Sequence, residues 1–146
     1  MTFAKLFAIL QIMKSPEQQK EIRLLIERAA QMLIVADHNL AEKFYESSVN
    51  RSYYAVFYAA SALLTTKQIA MSRHAGVISA FRRDFVKSGV FGIEYSDIYG
   101  RLLNHREISD YDLLVSLDQE QATHDLQDAR KFVAAVQTWL EREHWL

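Results

Sequence analysis

Cysteine is missing from this chain altogether, and its 146 residues hold one proline and four glycines. The first absence excludes disulfide staples and thiolate chemistry, and is compatible with a reducing compartment. The scarcity of the other two argues against turn-rich β architecture and favours long uninterrupted helices. An excess of charge of either sign is missing as well: 17 basic and 18 acidic side chains leave a formal net charge of −1. Such a chain does not grip nucleic acid wholesale as a polycation, although a local basic patch stays open to it. No apolar run approaches the roughly 20 residues that span a bilayer, so no membrane partner is expected. The start, MTFAKLFAILQIMK, is apolar but broken by Lys5 and Gln11. It lacks a small-residue cleavage site and makes a poor signal peptide, which leaves the cytoplasm as the expected location.

What is present is an ordinary globular composition, half apolar and 24% charged, of a length that fits one domain with a real core. Phe3, Leu6, Phe7, Leu10 and Met13 fit one helix face, so residues 1–15 read as a helical extension that docks on the bundle or on a partner. Ser15-Pro16-Glu17-Gln18 has the form of a helix start, with serine as N-cap, proline at the first position and glutamine completing a capping box. Ile22, Leu25, Ile26, Ala29, Met32, Leu33 and Ala36 then share a face, and Asp37-His38-Asn39 reads as the connection that ends this helix. A second helix is expected from about Leu40 or Ala41 to Lys67. Ser72 can cap a third, from about Arg73 to Val86, with Val77, Ile78, Phe81 and Phe85 inward. Gly89 and Gly92 mark the clearest break. A fourth helix follows from about Ser96, with Arg106–Asp112 continuing or closing it. A last, strongly amphipathic helix is capped by Ser116 or Asp118. The pattern predicts an all-α, up-and-down antiparallel helical bundle over residues 16–146, with four main helices and an additional N-terminal one.

The second helix carries more than a core needs. Val49, Tyr53, Val56, Phe57, Ala60, Leu63 and Leu64 make its apolar face, while Arg51, Tyr54 and Tyr58 form a second stripe at steps of three and four. Tyrosines on a helix flank often have a buried ring and a wet hydroxyl, so the stripe can be purely structural. A basic cluster, Arg73, His74, Arg82, Arg83 and Lys87, lies on the third helix, where a solvated face is the alternative. In Asn104–Asp112, NHREISDYD, Arg106 and Asp110 are spaced to pair on a helix with Tyr111 beside them. Glycine-rich phosphate loops, G-x-S-x-G elbows and H-E-x-x-H pairs do not occur. One Glu-x-x-His pair, Glu141 and His144, stands at the C-terminal end without a second pair or inward acids. It reads as surface, and neither metal nor cofactor is expected.

Four stretches, SVNRSYYAVFYAASALL, SRHAGVISAFRRDFVKSGVF, LLNHREISDYD and LQDARKFVAAVQTWL, together resemble the HEPN superfamily, in its small stand-alone prokaryotic branch. The matching motifs are Arg51-Ser52-Tyr53-Tyr54-Ala55, Arg73-His74-Ala75-Gly76, and Arg106 through Tyr111. The resemblance runs from about Pro16 to Arg142. It implies a helical bundle, commonly a two-fold dimer with its groove at the subunit contact. Many members are metal-independent endoribonucleases, often toxins paired with a small nucleotidyltransferase antitoxin. Their signature is an arginine followed after four to six residues by a histidine, which moves the 2′-hydroxyl proton while the guanidinium steadies the phosphorane.

That signature is absent here. None of the five histidines has an arginine at the required distance before it, and Arg101 to His105 is one residue short. Forward from Arg106, the permitted positions hold Tyr111, Asp112 and Leu113. Two readings of different kind follow for the groove. In the first it binds RNA, a nucleotide or a nucleotidyltransferase through Arg51, Tyr54, Tyr58, Arg106, Asp110 and Tyr111, with the basic face at its edge. In the second it is a ribonuclease toxin with a variant set, Arg106 with Tyr111 or with His74 brought in from another helix. A bundle whose polar groups only fix helix register is the third reading.

Overall fold

The computed structural model describes residues 1–12, 14–70 and 74–146, with the side chains at 7, 8 and 10–12 outside the description. Arg73, Ser72 and Met13, named above as ligand, cap and apolar face, lie outside the described residues. The elements are α1 (Phe3–Ile12), α2 (Pro16–Ala41), α3 (Tyr45–Thr66), α4 (His74–Phe81) with a π-helical turn over Arg82–Val86, α5 (Ile93–Tyr111) and α6 (Gln119–Arg142). Among the described residues there is no strand, and no helix is long and apolar enough to cross a membrane.

The expected caps form. Ser15 accepts from the Gln18 backbone N–H at 3.0 Å and Gln18 reaches back to Ser15 N, while its Nε2 donates to the Thr65 carbonyl at 2.7 Å. That second bond ties the start of α2 to the end of α3. Asp118, rather than Ser116, caps α6 with the same reciprocal arrangement through Gln121. Each satisfies N–H groups that the first helical turn cannot.

One expectation needs correction. Asp37-His38-Asn39 does not interrupt α2. The helix continues to Ala41 and breaks at Glu42–Phe44, where Lys43 takes a left-handed φ of 67°. The polar residues sit on the helix surface and are used there. Asp37 pairs with Arg130 of α6 at 3.0 Å, and Asn39 donates to Ser47 Oγ at 3.0 Å. The real break carries no glycine to announce it. The N-terminal helix α1 forms, and of its apolar face Phe3 is 84% and Leu6 47% exposed in the single chain.

The bundle is centred on α3, which packs against α2, α4, α5 and α6. Tyr53, Val56, Ala60 and Leu63 are fully buried on the face foreseen, and so are Ser52, Ala55, Ala59 and Ala62 elsewhere around the helix. Small residues there let the neighbouring helices approach closely. Phe81, Phe85, Tyr99 and Phe132 from α4, its π turn, α5 and α6 close the core, with Phe81 and Phe132 ring centroids 5.2 Å apart. At Gly100 a Cβ would come within 2.7 Å of Arg82 Nη2, so glycine is what lets the Arg82 guanidinium lie across α5 and bond Ser96 Oγ at 2.9 Å.

Leu63→Ala should therefore lower unfolding free energy by about 2–5 kcal/mol. Ile34→Ala, at a residue 70% exposed on α2, should change it by no more than about 0.5 kcal/mol. Urea denaturation followed by circular dichroism measures both.

Candidate functional site

Three helices bring a cation, an imidazole and a group of rings together. From α5, the Arg106 guanidinium lies over two phenol faces, 5.0 Å from the Tyr53 centroid and 5.3 Å from that of Tyr54. Its Nη2 donates to Tyr54 Oη at 3.4 Å. Asp110 Oδ2 stands 3.4 Å from Arg106 Nε, yet the angle is not that of a hydrogen bond and Nε is buried without a partner. The ion pair is real as a charge contact and weak as a bond. The site thus holds a guanidinium whose donors are not saturated by the protein.

From α4, His74 stacks on Phe57 at 4.2 Å between centroids, and its Nδ1 is 3.0 Å from Tyr53 Oη. Burial holds the His74 imidazole below its ordinary pKa of 6.5, and the Arg106 charge pushes the same way. Burial also pushes the Tyr53 phenol up to about 12, against the opposing pull of Arg106. At neutral pH both groups are therefore uncharged, and Tyr53 Oη and His74 Nδ1 share one hydrogen bond whose donor is set by the imidazole tautomer. Tyr99 packs at 6.3 Å from Tyr53, its phenol driven well above the ordinary value by burial and secondarily by Tyr53.

Of the residues singled out from the sequence, Arg106, Asp110, Tyr54 and His74 meet here. Tyr58 borders them, 6.1 Å from Tyr54 between ring centroids, with the Arg28 guanidinium 5.7 Å over its own ring. Arg51 is exposed and leans on Met32 of α2, Nη1 to Sδ 3.8 Å. Tyr111 is 82% exposed at the end of α5. Arg82 is tethered to Ser96, and Arg83 pairs with its neighbour Asp84 at 2.8 Å. The basic face is thus partly committed to holding its own elements.

Tyr53 and Phe57 belong to the site as well as to the core, a double role that apolar periodicity alone conceals. Sequence reading also passed over a second cluster. Asp125 of α6, fully buried, accepts from Arg101 Nε at 3.3 Å and His105 Nδ1 at 2.7 Å, and Arg101 Nη2 reaches Asp128 at 2.6 Å. Arg101 and His105 stand four apart on α5, Asp125 and Asp128 three apart on α6, and that matched spacing was the available signal. The cluster staples α5 to α6 and so fixes where Arg106 points.

The comparisons with known proteins agree with this architecture. The HEPN domain family matches residues 22–139. A "UPF0332 protein" of Thermotoga maritima is 38% identical over 125 residues, covering 86% of this chain and 95% of its own. Two proteins of Methanocaldococcus jannaschii are also similar. "Putative toxin MJ0142" is 30% identical over 122 residues, 84% of this chain and 83% of its own, and "Putative toxin MJ0605" is 35% identical over 127, with 84% and 91% covered.

Because the folded value of His74 lies below the unfolded one, its neutral burial supports the fold above pH 6.5. That support is lost as pH falls through the folded value, since the unfolded chain takes up the proton first. His74 should show a protonation midpoint below 6.5 by NMR, and His74→Asn should flatten the loss of stability on acidification. A midpoint at or above 6.5 would contradict the geometry.

Proposed function

Given that the chain belongs to the HEPN domain family, we propose that it binds RNA or nucleotide phosphate at the Arg106 cluster, as one component of a toxin–antitoxin-type system. The observation that carries this is the hydrogen-bond inventory of the cluster. His74 Nδ1 is engaged by Tyr53 Oη. The donors left over are the Arg106 N–H groups and the Tyr54 hydroxyl, whose oxygen already accepts from Arg106. Donors around a fixed positive charge suit phosphate oxygens, and the half-buried rings of Tyr54, Phe57 and Tyr58 beside them suit a base. The names of the two M. jannaschii relatives support the toxin–antitoxin setting. A small nucleotidyltransferase antitoxin is the protein partner this setting implies, and the working unit is a homodimer.

Cleavage is the second reading, and one observation favours it: Arg106 and His74, from different helices, share contacts with Tyr53 and Tyr54. In that reading the imidazole proton sits on Nδ1, donated to Tyr53 Oη, and Nε2 is the base on the 2′-hydroxyl. Tyr111, 82% exposed at the end of α5, stands apart from the cluster, and neither version assigns it a role.

Labelled single-stranded RNA separates the readings. Arg106→Ala should weaken binding by about 10- to 100-fold, the loss of about 1.5–3 kcal/mol expected for charged hydrogen bonds. It should also reduce the salt dependence by about 0.7 in log–log slope. Tyr111→Phe should bind like the parent chain. RNA cut without added metal, with cutting lost in His74→Asn, would establish the second reading instead. Equal binding by the parent and Arg106→Ala would overturn both.

A further inference from the structure

Several cations of this chain are committed to acids of their own. Arg83 pairs with Asp84, Arg101 with Asp125 and Asp128, Arg130 with Asp37, and Lys131 with Glu94. Arg28, exposed on α2, is not. Among the described residues no carboxylate comes within ion-pair reach of it, Glu21 and Glu27 of the same helix included. What its guanidinium does meet is a ring, 5.7 Å from the Tyr58 centroid. At an exposed site that attraction is small beside the charged hydrogen bonds a guanidinium makes to phosphate.

Tyr58 continues a line that starts at Arg106. The Arg106 guanidinium is 5.3 Å from the Tyr54 centroid, Tyr54 is 6.1 Å from Tyr58, and Tyr58 is 5.7 Å from the Arg28 guanidinium. Two half-buried rings thus stand between two cations. Tyr54 and Tyr58 are four apart on α3 and so lie one above the other on its surface. The cations come from its two flanks. Helix α3 packs against both α2, which carries Arg28, and α5, which carries Arg106, while α2 and α5 scarcely meet.

That order has a chemical counterpart in a single strand, which repeats phosphate and base at regular steps. A free nucleotide has one base and one phosphate-bearing end, so it can use Arg106 and Tyr54 but leaves Tyr58 and Arg28 idle. With two rings in between, the cations are spaced for successive phosphates of one strand, over a length of about two or three nucleotides. Bases stack on tyrosine rings or on guanidinium planes whatever their identity, provided their faces are open. A duplex keeps those faces covered by its own stacking.

We infer, on the reading that Arg106 holds RNA phosphate, that Tyr58 and Arg28 form a second subsite for a further nucleotide of the strand. The ligand is then a single-stranded oligonucleotide and not a free nucleotide. Arg28 binds its phosphate, and Tyr58 carries the base between the two charges.

Isothermal titration calorimetry with adenosine 5′-monophosphate and with the trinucleotide pApApA tests this. The parent chain should bind pApApA at least about tenfold more tightly than the monophosphate, through one more charged contact and one more stack. Arg28→Ala should remove about that factor for pApApA, lower its log–log salt slope by about 0.7, and leave the monophosphate unchanged. Arg28→Lys, which keeps the charge and loses the planar fork, should fall between the two. Tyr58→Leu should weaken pApApA alone. Arg130→Ala, which removes an equal charge from a cation already paired with Asp37, should bind both ligands like the parent. Equal affinity of the parent for the two ligands would overturn the second subsite, as would Arg28→Ala binding pApApA like the parent or like Arg130→Ala. In those outcomes Arg106→Ala still weakens both ligands and the first contact stands. Arg106→Ala binding both ligands like the parent would instead overturn the reading beneath it.

Discussion

A guanidinium cannot shed its charge, and Arg106 places one in a bundle where only 20% of the side chain meets solvent. The usual remedy is a carboxylate in bidentate contact. Here Asp110 approaches only Nε, and at a poor angle. Two phenol faces supply most of the compensation, through the attraction of a cation for an aromatic quadrupole. Much of the interior follows from that choice. Tyr53 has to stand fully buried in α3 to present its face, and so its hydroxyl needs a partner inside the protein. His74 provides it, and burial keeps that imidazole neutral. The positive charge therefore sits beside neutral polar groups that can turn donors outward.

Site and core consequently share residues. Tyr53 packs on Tyr99, which packs on Phe81 and Phe132, so the floor of the site is continuous with the centre of the bundle. The buried Asp125 holds α5 against α6 through Arg101 and His105. Removing one member of such a set leaves an uncompensated buried charge, which makes the arrangement a strong positional constraint even where its net contribution to stability is small. It fixes the helix that carries Arg106 without touching what Arg106 binds.

The helices were legible from periodicity because each buries a face at helical spacing, and the caps at Ser15 and Asp118 were legible from hydrogen-bond chemistry that is local in sequence. The break at Glu42–Phe44 was not, since it depends on Lys43 accepting a left-handed backbone that other sequences give to glycine. Among site residues, Arg106, Asp110, Tyr54 and His74 could be picked out by motif, but nothing local says that α4 brings His74 onto Phe57. The sorting of Arg51 and Tyr111 away from the cluster is likewise tertiary. Tyr53 shows the limit most plainly: its place on the apolar face hid a hydroxyl that engages His74 Nδ1.

The central claim is that ligand phosphate is held by Arg106 with His74 and Tyr54. NMR of the chain with labelled arginine, histidine and tyrosine side chains, titrated with a short single-stranded RNA, addresses it directly. The account predicts saturable shifts at Arg106 Nε, at the His74 ring and at the Tyr54 ring. Shifts confined to Arg82, Arg83 and Lys87, with the Arg106 cluster unmoved, would contradict it.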